Sequence, residues 1–323
     1  MKRFVGCLLL MLLLTPLFAI DFLEKANEVV ITDKSVSFTD AAGQILTLNK
    51  NPQKVTILYS SLVSLWYEAG GKASNIIGGS SAQEYYLESL GYDPTQDTNV
   101  IATSALASKW DIEKIIEDRP DLIICSTAMY GYATIKGPAS LANIPVIAVD
   151  YDDFSDYLKW FKVFSALNSR QELWQSIALK ALDEVNNIIN SCPDNEKPTY
   201  LCLFSNSTAL DANTQDTVIC NMLYSLKADN VIKTNKDLQL QKISINLETI
   251  YSLDPDFILI QCHAGTDIAQ ADVKRLYGSN PVWNALRAVK NNNVYYLPRD
   301  LFHNKPNSRF AQAYSTLRDI LYQ

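Results

Sequence analysis

Apolar residues in this chain fall into short, nearly unbroken runs, and between the runs they recur at helical spacing. Val55 to Tyr59 is one run, followed by a helical pattern through Leu65 and Ala69; Ile76 and Ile77 form another and end on the small residues Gly78 to Ser81. Leu122 to Cys125 and Val146 to Val149 repeat the arrangement. Strands this short and lacking a polar face are covered on both sides, so the pattern predicts parallel sheets packed between helices. Ahead of them, Val36 to Leu48 alternates about the turn residues Asp40 to Gly43, the signature of a small hairpin.

The chain also echoes itself. Asp111-Ile-Glu-Lys-Ile-Ile-Glu-Asp-Arg-Pro-Asp-Leu-Ile-Ile returns 135 residues later as Asn246-Leu-Glu-Thr-Ile-Tyr-Ser-Leu-Asp-Pro-Asp-Phe-Ile-Leu. In each copy a capping residue opens a short helix, Pro120 or Pro255 stops it, and Asp121 or Asp256 precedes a buried strand. Ile144 to Val149 and Val294 to Leu297 echo as closing strands, each leading into a polar loop. Between the halves, Asp153 to Ala166 and Ser169 to Ile189 read as helices, the second with Leu173, Ile177, Ala181, Val185 and Ile188 on one face and Pro193 and Pro198 around its end. The expected architecture is α/β, two Rossmann-like lobes with central parallel sheets joined by one long helix. Its expected segments are a signal peptide over 1–19, a first lobe over 20–166, the connecting helix over 167–192 and a second lobe over 193–323. A ligand would sit where the carboxyl ends of the two sheets face each other.

Composition narrows the function. The 323 residues are 48% hydrophobic and 20% charged, enough apolar material for a sizeable core. A formal charge of −7 speaks against a nucleic-acid partner, which needs concentrated Lys and Arg. Lys2 and Arg3, the apolar stretch Val5 to Leu14 and the segment Pro16 to Ala19 predict export, hence a periplasmic or other extracytoplasmic location. Cys7 lies inside that apolar stretch rather than after it, so no ordinary lipid-attachment cysteine is expected. Five further cysteines, Cys125, Cys192, Cys202, Cys220 and Cys262, lack zinc or redox spacing; their odd number leaves room for one disulfide, which spacing cannot pair.

Taken in order, these segments resemble the class III substrate-binding proteins of ABC importers for iron-siderophores, haem and cobalamin. The resemblance is carried by Asn51-Pro-Gln-Lys-Val-Thr-Ile-Leu after the hairpin, Asp111 to Ile124, Ile144-Pro-Val-Ile-Ala-Val-Asp, Asp229-Asn-Val-Ile, Asn246 to Ile260, Asn280-Pro-Val-Trp and Leu297-Pro-Arg-Asp-Leu-Phe-His. It implies a monomer that hinges little, is not an enzyme, needs no cofactor of its own, captures a metal chelate (an iron-siderophore first) and delivers it to a membrane permease. It also implies a surface glutamate on each lobe that docks on permease arginines. Glu113 matches the first; the second is expected near Tyr224 to Lys227, where no glutamate stands.

The strand-end loops supply the candidate ligand residues. From the first lobe come Tyr59, Ser60, Ser61, Ser80, Ser81, Met129, Tyr130 and Tyr151, aromatic faces and hydroxyls suited to a large chelate. From the second come Asn206, Asn213, His263 and the loop bearing Arg299, Phe302, His303, Lys305 and Arg309, whose cations suit anionic oxygens. Two histidines are too few for a bare transition ion, though His303 or Tyr130 could be an axial ligand to haem iron. Haem, cobalamin or an oxyanion such as molybdate are the alternative ligands. A secreted hydrolase using Ser80 or Ser81 is the alternative function, without a Gly-x-Ser-x-Gly elbow to support it.

Overall fold

A computed structural model of the chain describes residues 20–77, 99–102, 107–205, 209–233 and 241–322. The expected signal segment over 1–19 lies outside them. Among the described residues no helix is long and apolar enough to cross a membrane.

Two large sheets form. The first has the order β6-β5-β4-β7-β8, made of Asn99–Ala102, Asn75–Ile77, Val55–Ile57, Leu122–Ser126 and Val146–Val149, all parallel. The second has the order β12-β10-β9-β13-β14, made of Lys242–Ser244, Leu210–Asn213, Thr199–Ser205, Phe257–Cys262 and Val294–Leu297, with β11 (Asp229–Asn230) also on β9. Here β10 runs antiparallel to both of its neighbours, so this sheet is mixed where periodicity alone suggested a parallel one. The reason is local: only about four residues of sequence separate β9 from β10, and two strands joined that closely pair antiparallel.

The predicted hairpin is present as β2 (Ser35–Thr39) and β3 (Ile45–Asn49), with the two-residue β1 (Val30–Ile31) on its edge. Asp40 shapes its turn: one carboxylate oxygen accepts from Ala42 N and Gln44 N, both at 2.9 Å, and the other accepts from Ala148 N in β8 at 3.2 Å.

The repeated unit behaves alike in both halves. Asp111 caps Ile112–Glu117 by accepting from Lys114 N, and Asn246 caps Leu247–Leu253 by accepting from Thr249 N. Both helices close through a left-handed residue just before the proline, Arg119 at φ 46° and Asp254 at φ 38°, whose amide returns to a carbonyl of the last turn, Arg119 N to Ile116 O and Asp254 N to Ile250 O at 3.0 Å each, and the proline then bars continuation. The aspartate that follows ties the new strand to its neighbour. Asp121 accepts from Gln53 N and Lys54 N at 2.9 Å each, at the entry of β4. Asp256 accepts from Thr199 N at 2.9 Å and Thr199 Oγ1 at 2.6 Å, at the entry of β9.

The connecting segment is helical over 171–190 but not uniformly α: Trp174–Leu179 forms a π turn between Gln171–Leu173 and Lys180–Asn190. Such turns insert one extra residue and shift the apolar face. Before it, Phe154–Leu167 packs Phe154 and Tyr157 against Phe310 of the C-terminal helix Phe310–Leu321, with ring centroids 4.8 and 5.3 Å apart. One continuous apolar core therefore runs beneath both sheets, from Val55 and Ile57 to Tyr200, Leu223 and Leu317.

Candidate functional site

In the first sheet the chain leaves β4 toward β5 and β6 on one side, and leaves β7 toward β8 on the other. The crevice between β4 and β7 is thus the topological switch point, where open α/β sheets bind ligands. The loops emerging there line a cavity of about 450 Å3: Tyr59 after β4, Ser126 and Thr127 at the end of β7, Asp150 to Asp152 after β8, and Gln241 and Lys305 from the second lobe. A second cavity of about 380 Å3 continues it, sharing Tyr59, Ala128, Asp152, Gln241 and Lys305 and adding Phe204, Lys242, Gln261, Phe302 and His303. Shared walls make the two one cleft between the lobes, of a size that takes a small molecule.

Its electrostatics are asymmetric. The first-lobe wall is acidic: Asp152 is half-buried, burial raises its carboxyl above the usual range, and Lys305 and Asp150 respectively oppose and add to that rise. Burial also raises the Tyr59 phenol, which stays protonated and able to donate. The second-lobe wall is basic and aromatic. Lys242 Nζ sits 3.5 Å above the Phe204 ring, and Lys305 Nζ bonds Tyr151 O and lies 3.4 Å from Asp152 Oδ1. His303 is pushed down to about 4, by burial first and then by His263, Arg299 and Lys242, so its imidazole is neutral at ordinary pH. Its Nε2 lies 3.2 Å from His263 Nδ1, and its buried Nδ1 has no hydrogen-bond partner among the described residues.

The structure divides the predicted site residues. Tyr59, Tyr151, Phe302, His303 and Lys305 line the cleft. His263 stands at the rim against His303, and Arg299 Nε donates to His263 O at 2.7 Å, positioning that rim rather than lining a cavity. Asn213 is wholly buried; it donates to Gln261 Oε1 at 2.9 Å, and Gln261 donates in turn to Phe302 O at 2.7 Å. It acts one step behind the wall. Ser60 is half-buried in the first turn of Ser60–Glu68, and buried Ser61 turns its carbonyl to Asn307 Nδ2; neither lines the cleft. Tyr130 is 81% exposed at φ 61° and faces neither cavity, with Met129 in the same short turn. Arg309 is committed to Asp300, through Oδ2 at 2.8 Å and the carbonyl at 2.7 Å. Ser80, Ser81 and Asn206 lie outside the described residues.

Pattern reading missed Asp152, Gln241 and Lys242. Asp152 follows β8 directly and was within reach of the strand-end argument; Gln241 and Lys242 open an edge strand that no apolar run announces. At the 135-residue offset from Glu113 stands Glu248, exposed in the first turn of Leu247–Leu253 as Glu113 is in Ile112–Glu117.

Known proteins agree with this geometry. The family model described as "Periplasmic binding protein" matches residues 57–301. The chain is 25% identical over 296 residues to the uncharacterized ABC transporter substrate-binding lipoprotein YvrC of Bacillus subtilis, covering 89% of this chain and 85% of that one. It is 24% identical over 195 residues to the Fe(3+)-citrate-binding protein YfmC of the same organism, covering 60% and 58%. Among solved structures, Staphylococcus aureus IsdE complexed with heme superposes with a TM-score of 0.68 at 18% identity, covering 84% of this chain and 99% of that one. The catecholate-siderophore binding protein VctP of Vibrio cholerae superposes with a TM-score of 0.69 at 14% identity, covering 89% and 99%. Two lobes meeting at a switch-point cleft, under a family match that spans most of the chain, place this protein in the periplasmic binding protein family.

Proposed function

We propose that this chain captures an anionic metal chelate, an iron-siderophore first, in the inter-lobe cleft outside the cytoplasm and hands it to an ABC permease. The observation that carries the reading is the cleft wall made by Lys242, Lys305, Phe204 and Phe302, which offers cations and apolar faces together at the switch point. Such a wall suits a ligand with charged oxygens on an apolar frame. The relatives named as substrate-binding and Fe(3+)-citrate-binding proteins support the ligand class. Haem is the second reading, favoured by the neutral His303 in the cleft wall and by the likeness to IsdE. The chain acts as a monomeric carrier rather than a catalyst.

Delivery rests on the exposed pair Glu113 and Glu248, one on each copy of the repeated helix. Uptake measured in cells should fall when both are replaced by Ala while ligand affinity of the purified protein stays at the parent value; unchanged uptake would remove the docking role. Native mass spectrometry of protein from its own organism tests the ligand class. A bound ferric chelate or haem is the expected species; an oxyanion in its place would refute the reading.

A further inference from the structure

The helix Ser60–Glu68 buries Leu62, Val63, Leu65 and Trp66, yet it also carries Ser61, Ser64 and Glu68. Spaced three and four apart, these polar residues share one face. That face meets two consecutive second-lobe residues, Asn307 and Ser308, just before the C-terminal helix. Asn307 is 1% exposed and left-handed at φ 52°, a conformation asparagine tolerates better than most side chains. Its amide nitrogen donates to Ser64 Oγ at 2.6 Å and reaches Ser61 O at 3.4 Å, and its oxygen accepts from Tyr151 OH at 2.9 Å. Ser308 donates twice to Glu68, from N at 3.1 Å and from Oγ at 3.0 Å. All of these bonds cross from one lobe to the other.

A buried polar network loses heavily when any bond in it is broken, so it holds its two sides in one geometry. The cleft depends on that geometry. Tyr151 is held at both ends, its hydroxyl by Asn307 and its carbonyl by Lys305 Nζ, and Tyr151 and Lys305 both line the cleft. Lys305 stands two residues before Asn307 in the same loop. We infer that Asn307 is a positioning residue for the ligand site: with Ser64 and Glu68 it rivets the lobes at a fixed angle and so presents Lys305 and Tyr151 in a preformed cleft, a role that rests on reading that cleft as the ligand site. Asn307 itself lines neither cavity. Preorganisation of this kind raises affinity by removing the cost of ordering the wall on binding.

Two variants of the full protein test the role. Asn307→Gly keeps the left-handed backbone and deletes the amide, whereas Ser64→Ala deletes one partner inside a helix that favours alanine. Affinity for ferric citrate is measured by fluorescence titration in the parent and in both variants, each with and without Lys305→Ala. Asn307→Gly should weaken binding roughly fivefold and Ser64→Ala roughly twofold, through lost preorganisation. Lys305→Ala should cost roughly tenfold in the parent and no more than about threefold on the Asn307→Gly background, because a misplaced cation has less to lose; the Ser64→Ala background should fall between, and decides alone if Asn307→Gly does not fold. An equal factor on every background would make the network a matter of stability only and overturn the inference. A ligand-free measurement separates the rivet from the choice of ligand. Spin labels at the exposed positions Lys136 and Lys274, introduced through Lys136→Cys and Lys274→Cys while the five described native cysteines stay buried, should give one narrow distance in the parent and a broader distribution in Asn307→Gly and Ser64→Ala. If the parent ignores ferric citrate but the distribution broadens, the choice of ligand fails while the rivet stands; an unchanged distribution overturns the rivet whatever the ligand.

Discussion

The two lobes agree at the amino edges of their sheets and diverge at the carboxyl edges. At the amino edges, Asp121 and Asp256 act alike, each accepting two hydrogen bonds from the entry of the neighbouring strand, just after a left-handed residue and a proline. At the carboxyl edges the described residues differ: the first lobe presents Tyr59, Asp150 and Asp152, the second Phe204 and His303. What sets the fold is common to both copies of the unit, and the residues that line the cleft are not.

The sharpest way to break this correspondence is at the paired aspartates. Asp256→Ala should cost about 2 to 3 kcal/mol in urea unfolding, since it strands the Thr199 donors and also removes the partner that Arg287 Nη1 holds at 2.9 Å. Asp121→Ala, which removes the acceptor of the solvent-accessible Gln53 and Lys54 amides, should cost less, about 1 kcal/mol. A cost no greater than that of a surface substitution, at either position, would show that the carboxylate is incidental to the echo and not its structural purpose.

The helix caps should give an effect no larger than that. Asp111→Ala and Asn246→Ala each remove one side-chain acceptor from a helix start, worth about 1 kcal/mol apiece. Similar losses would confirm that the caps are equivalent; a loss confined to one lobe would separate them.

A pH profile should give the smallest net change, because two groups oppose each other. The Glu68 carboxyl, held by Ser308 N at 3.1 Å and Ser308 Oγ at 3.0 Å, is raised by burial from 4.5 to about 7. An acid raised in the folded state contributes stability that is present at low pH and lost as the pH climbs from 4.5 through about 7. His303, lowered from 6.5 to about 4, contributes stability present above 6.5 and lost as the pH falls through about 4. Between 4.5 and 6.5 the two slopes have opposite signs. Relative to the parent, Glu68→Gln should therefore gain a stability that rises with pH in this window, and His303→Ala one that falls. Unfolding midpoints at several pH values measure both; parallel profiles for all three proteins would show that neither group titrates as described.

Much of the fold was legible because it rests on local rules. Apolar runs gave four of the five strands of the first sheet, all but Asn99–Ala102, turn residues gave the hairpin, and the cap, proline and aspartate of the repeat gave both helix-to-strand turns. The antiparallel β10 escaped because Leu210–Asn213 is short and lacks a distinctive apolar run. The π turn escaped because Trp174–Leu179 keeps helical spacing on either side of its extra residue. For the site, strand ends pointed to Tyr59, Tyr151 and the loop after β14. Sequence could not sort that loop, since Lys305 and Arg309 are both cations four residues apart, and only packing turns one to the cleft and the other to Asp300.

That pair also offers the most direct test of the account. Titration of the purified protein with a ferric siderophore, followed by tyrosine and tryptophan fluorescence, should show Lys305→Ala binding at least tenfold more weakly than the parent, because a charged contact in a partly desolvated cleft is worth about 2 kcal/mol or more. Arg309→Ala should bind as the parent does. Parent-like binding by Lys305→Ala, or an equal loss on replacing Arg309, would contradict the assignment of the cleft as the place where this protein holds its ligand.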